Sequence, residues 1–239
     1  MTEMMSETAT THHTATQRRV TIGSYIVLGA APYLVLVAIA LDWAIVDEDG
    51  VHLDSWVETL LRVGLLVACP GYAIGWLTWA TNAARNARLV TPLAMSPFTP
   101  IIGVALMVAV IVVPPRYIEA DATLNVMCVA AAVIIHLFVI NSFRGTAARL
   151  GAPTAPWVHL IWLPFVVAGA SVAVSMASVA MSPTTGNVLA VTVSGIGTLA
   201  IGVGLHTGMG SFDRAAEVRT HPHVDPMSMA ARMFSVQPD

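Results

Sequence analysis

The sequence predicts an all-α membrane protein, a bundle of six transmembrane helices with disordered cytoplasmic ends. Three observations predict it. Only 10% of the 239 residues are charged while 56% are hydrophobic, and the mean hydropathy is +0.74. A soluble domain carries about a quarter charged residues, so this chain cannot cover a water-facing surface. Its apolar residues fall into six long runs, and its arginines gather between alternate runs.

A helix needs about 20 apolar residues to cross the hydrocarbon. Residues 20–43, 56–80, 97–115, 123–143, 157–181 and 186–207 meet that length. Before them, residues 1–19 are rich in Thr and Ser without periodicity, which predicts a disordered tail. The polar start and the long run after Arg18-Arg19 do not fit a signal peptide. The first run ends at Asp42-Trp43, the second opens at Trp56 and closes at Trp76 and Trp79, and Trp157 and Trp162 open the fifth. Tryptophans at such ends predict interfacial belts. The third run is the weakest, bracketed by Pro97, Pro100, Pro114 and Pro115. Pro32, Pro70 and Pro164 lie inside runs and predict kinks. The loop after the fifth run, Met-Ser-Pro-Thr-Thr-Gly-Asn, is short enough to force a helical hairpin. Residues 209–239 are expected to be a polar cytoplasmic tail, carrying His221-Pro222-His223 and a short amphipathic patch, Met227 to Phe234.

Orientation follows from the arginines, because cytoplasmic loops keep an excess of positive charge. With the N-terminus inside, Arg18, Arg19, Arg85, Arg88, Arg144, Arg149, Arg214, Arg219 and Arg232 are cytoplasmic. Only Arg116 and Arg62 fall outside, beside the acidic Asp42, Asp47, Glu48, Asp49, Asp54, Glu58, Glu119 and Asp121. Both ends are therefore expected in the cytoplasm of a cell with this protein in its plasma membrane.

Small residues mark the contact faces. Ala200, Gly204 and Gly208, and likewise Gly169, Ala173 and Ala177, repeat at four-residue spacing, which lets backbones approach. A weak internal repeat links Asn82-Arg85-Arg88-Leu89-Pro92 with Asn141-Arg144-Arg149-Leu150-Pro153, at the inner ends of the second and fourth runs. Positive-inside selection alone accounts for much of it.

Trp79, Arg85-Asn86-Ala87, Ser96-Pro97 and Pro114-Pro115 form a pattern over about forty residues. This segment resembles a family of bacterial multi-pass membrane proteins known as a domain of unknown function. The chain departs from it in carrying aliphatics where that family has a Trp-Phe-x-Pro element. The resemblance implies a multi-pass helical fold and supplies no activity.

All eleven basic residues are arginine, which excludes chemistry built on an intramembrane lysine. Two cysteines, Cys69 and Cys128, lie in apolar runs and make no disulfide framework. Ionisable groups inside spans are functional candidates, and His136, His159 and His206 qualify. His136 extends a stripe with Asn125, Cys128 and Ala132 on one helix face, and Asn141 lies a turn beyond. Arg62 follows Glu58 by four residues, the favoured order for a helical ion pair. It either snorkels outward or gates an acidic outer vestibule.

The functional expectation is a non-enzymatic membrane protein, either an accessory or partner subunit or a small-solute permeation unit. It has no catalytic residue and no cofactor. Its partners are the bilayer and a membrane protein or second copy of the chain, with no nucleic acid. The rival is a haem- or metal-binding redox subunit that uses the three histidines.

Overall fold

Long apolar runs satisfy their own backbone hydrogen bonds as helices, which is why unbroken helix is the form such sequences take in hydrocarbon. The computed structural model, which describes residues 2–47, 50–113, 122–178 and 182–220, has six of them. They are α1 (Thr2–Ala40), α2 (Ser55–Val90), α3 (Phe98–Val112), α4 (Ala122–Arg149), α5 (Ala155–Ser178) and α6 (Pro183–Thr220). Five of the six helices contain stretches long and apolar enough to cross a membrane, within Thr14–Ala40, Ser55–Val90, Met127–Arg149, Ala155–Val174 and Thr185–Glu217. The protein is therefore built as a multi-pass membrane protein. The exception is α3: its 15 residues span roughly 22 Å at about 1.5 Å each, short of the ~30 Å hydrocarbon core.

The helices pack as successive pairs, α1 with α2, α3 with α4 and α5 with α6, and α6 returns to lie against α1 and α2. Glycines set the close approaches. A Cβ on Gly204 would stand 3.2 Å from Leu160, and one on Gly208 would stand 3.4 Å from Trp157, so this stripe of α6 receives α5. A second α6 stripe receives α1, with Gly195 under Tyr33 and Gly202 under Tyr25. The small-residue spacing on α6 is thus an intramolecular seam. On α5 it is not, since Gly169 faces open space.

Four features differ from the sequence expectation. Residues 14–19, assigned to a disordered tail, belong to α1, where Thr14 and Thr21 are buried. Helix α6 runs past the hydropathy boundary at 207 to Thr220, because Met209, Phe212 and Ala216 continue an apolar face into the core. Trp79 and Trp157 are not belt residues; they are 0% and 1% exposed. The connection between α1 and α2 contains a hairpin, β1 (Ala44–Asp47) paired antiparallel with β2 (Gly50–Leu53), in register Ala44↔Leu53 to Asp47↔Gly50. Ile45, Val46 and Val51 supply β-branched residues to the paired strands. Trp43 and Trp56 flank this hairpin edge to face, with ring centres 4.9 Å apart, as belt residues would. Residues Glu48, Asp49, Pro114, Pro115, Arg116, Glu119, Asp121 and the tail from His221, with Arg232, lie outside the described residues.

The core sits at one end of the bundle. Phe143 stacks on Trp157 at 5.1 Å and on Trp79 at 5.5 Å, and Phe212 meets all three rings edge-on. Offset and edge-to-face pairs of this kind add about 0.5–1.5 kcal/mol beyond their buried area. This aromatic block joins α2, α4, α5 and α6.

Candidate functional site

Beside the aromatic block lies the polar cluster that ties three helices together. Helix α6 places Met209, Phe212, Asp213 and Ala216 on one face through their 3-1-3 spacing, so a carboxylate lies in an otherwise apolar stripe. Asp213 accepts a hydrogen bond from Arg18 Nη1 at 2.7 Å on one carboxylate oxygen. Its other oxygen accepts from Trp79 Nε1 at 3.1 Å. Side-chain exposure is 27% for Arg18 and 13% for Asp213, so the pair is largely withdrawn from solvent. Charge-assisted bonds like these are the strong class, and here they join α1, α2 and α6. Nearby, Asn82 donates to Gln17 Oε1 at 3.0 Å and Asn86 donates to Thr14 Oγ1 at 3.2 Å.

The same end holds the connection between α2 and α3. Arg88 Nε donates to the Ala94 carbonyl at 3.3 Å, Arg149 donates to the Leu93 carbonyl, and the Met95 N–H donates to Thr146 Oγ1 at 3.1 Å. Arg88 and Arg149, the Arg-Leu arginines of the sequence repeat, thus grip adjacent carbonyls of one linker. Arg85, Arg88, Arg144, Arg149 and Arg214 lie in the last two turns of their helices, and Arg18 reaches the same end from within α1.

The sequence-chosen residues are scattered. His206 lines an apolar groove between α1 and α6 of about 530 Å³, together with Tyr25, Tyr33 and Thr198. His159 lines a different groove, between α5 and α6. His136 is half-buried on α4 and lines neither. Among the described residues, no group of three or more His, Cys, Asp or Glu could hold a metal ion. Glu58 and Arg62 form the expected i,i+4 pair, Arg62 Nη2 to Glu58 Oε1 at 2.5 Å, with 77% of the Arg62 side chain and 49% of the Glu58 side chain exposed. Asn141 is exposed and lines a cavity with Arg144, whereas the side chain of Asn125 lies outside the described residues.

Sequence reasoning missed Asp213, Arg18 and Trp79. It took Arg18 for a topology marker, Trp79 for a belt and Asp213 for part of a tail. The available signal was a carboxylate in register with Met209 and Phe212.

No protein-family model, curated protein or solved structure matches this chain. The likeness noted over Trp79 to Pro115 has no family model behind it, and the function rests on the geometry alone.

Proposed function

We propose that this chain is a six-span plasma-membrane protein with both termini cytoplasmic, acting without chemistry of its own as a partner subunit. The observation that carries the reading is the aromatic block. Trp79, Phe143, Trp157 and Phe212 fill the middle of the arginine-rich end, and the Asp213 carboxylate beside them is engaged by Arg18 and Trp79. A permeation path for polar solutes needs lining donors and acceptors. Here those groups serve to fasten helices to one another, which favours the partner-subunit form over the permeation form. The arginine bias supports the orientation, and the sixth span would be α3, shortened and flanked by prolines.

The outward face of α2 supports a partner or a bilayer contact, since Leu66, Val67 and Ile74 are 75%, 68% and 64% exposed. Association of helices in lipid rests on packing and hydrogen bonds rather than on hydrophobic burial, so a wide apolar face can serve either.

The test has two arms. Proteoliposomes holding the purified protein should release trapped potassium or glycerol no faster than empty liposomes. A photo-crosslinker at Leu66 or Ile74 in cells should yield a discrete adduct with another membrane protein or a second copy. Rapid solute release, or crosslinks to lipid alone, would contradict the reading.

A further inference from the structure

Helices α3, α4 and α5 contain no Asp or Glu at all, yet α4 carries Arg144 and Arg149. Arg149 is accounted for, since its guanidinium donates to the Leu93 carbonyl. Arg144 has no partner among the described residues. It lines a cavity of about 500 Å³ between α4 and α5, with Asn141 one turn before it. The carboxylate of Asp213 is taken by Arg18 and Trp79.

The rest of the cavity is apolar: Phe138, Val158, Ile161 and Trp162. Phe138 and Trp162 are 65% and 64% exposed, so the walls stand open sideways, towards what is lipid in a membrane-spanning bundle. Further along the same faces, Ile134 is 66% exposed and Phe165 44%, and Phe165 leans on Trp162 with ring centres 6.2 Å apart. The cavity thus has a cationic, hydrogen-bonding head at the arginine-rich end and an apolar trough leading away from it. Arg144 is exposed and lies five residues from the end of α4, where a cation meets the headgroup layer instead of the hydrocarbon centre. Basic pockets between transmembrane helices on the cytoplasmic side are where anionic headgroups are received.

We infer that the α4–α5 cavity binds an anionic glycerophospholipid of the inner leaflet, its phosphate on Arg144 and Asn141 and one acyl chain along Phe138 and Trp162. Arg144 supplies the planar donor fork that matches a phosphate. Asn141 adds an amide donor, and the trough selects a lipid over a free anion.

Native mass spectrometry of the detergent-purified full chain, with added phosphatidylglycerol or phosphatidylcholine, tests this. The protein should retain phosphatidylglycerol at least fivefold over phosphatidylcholine. Arg144→Gln should bring that ratio near one, Asn141→Ala should lower it, and Arg144→Lys, which keeps the charge but not the fork, should lower it less than Arg144→Gln. Arg85→Gln removes a charge from the same end but not from the cavity, and should leave the ratio unchanged. Inorganic phosphate should not displace the lipid. Equal retention of the two lipids, a preference that survives Arg144→Gln, an equal loss in Arg85→Gln, or displacement by phosphate would each overturn the proposal.

Discussion

Arg18, near the start of the bundle in α1, and Asp213, near the end of α6, meet at 2.7 Å across 195 residues of sequence. The contact closes the first helix onto the last, and the Trp79 N–H on the same carboxylate brings in α2. In hydrocarbon, where apolar burial gives little drive to helix association, such hydrogen bonds and close packing supply the specificity.

That closure predicts coupling. Asp213→Asn leaves the Arg18 charge partly buried without its counter-ion, and Arg18→Gln leaves the more buried carboxylate with Trp79 alone. Each single change should lower the melting temperature in detergent, by a loss of about 1–3 kcal/mol once the remaining exposure of Arg18 is allowed for. The double variant should recover part of the loss, with a coupling of at least about 1 kcal/mol. Strictly additive losses would show that the two residues do not depend on each other.

The aromatic block makes a graded prediction. Trp79→Phe keeps a ring in the stack and loses only the N–H donor to Asp213, a change of about 1 kcal/mol. Trp79→Ala also opens a cavity against Phe143 and Trp157, and should cost about 3–5 kcal/mol. Detergent melting curves check the order. Equal losses for the two variants would place the weight on the hydrogen bond instead of the packing.

Much of the fold was legible because helices in lipid follow hydropathy. Segments 56–80 and 123–143 each fall on one helix, as do residues 157–178 of the fifth run, and the prolines at 32, 70 and 164 lie inside helices. What hydropathy cannot see is helix that continues beyond the apolar run. The segments from Thr14 and up to Ala216 are polar enough to read as tails, but they bury Thr14, Ser211 and Phe212 against neighbouring helices. Tryptophan position misled for a related reason. Trp79 and Trp157 lie at run ends, where a belt residue and a core residue look alike in one dimension. The same holds for Asp213, whose importance depends on what α1 and α2 bring to it. The hairpin at Ala44 to Leu53 has strands of only four residues each, short enough to pass for an acidic loop.

Arg62 and Glu58 give a contrasting prediction. Their pair is short but exposed, and exposed pairs contribute about 0–1 kcal/mol. Arg62→Ala, Glu58→Ala and the double variant should all melt close to the parent. A coupling above roughly 2 kcal/mol would instead mark a buried polar site at this end.

The histidines predict an absence of colour. His159 and His206 line separate grooves, and bis-histidine ligation needs facing residues at one depth. The detergent-purified protein should be colourless and free of stoichiometric transition metal by elemental analysis. A haem absorption band that disappears in His136→Ala would restore the redox reading.

The central claim, a membrane-spanning bundle whose arginine-rich end faces the cytoplasm, is tested most directly by thiol labelling in intact cells. With Cys69 and Cys128 replaced by Ala, single cysteines are placed at His52 and Ser182 on one end, and at Arg88 and Gly151 on the other. An impermeant maleimide should label His52→Cys and Ser182→Cys before lysis, and Arg88→Cys and Gly151→Cys only after it. Labelling of Arg88→Cys or Gly151→Cys from outside, with Ser182→Cys protected, would contradict the account.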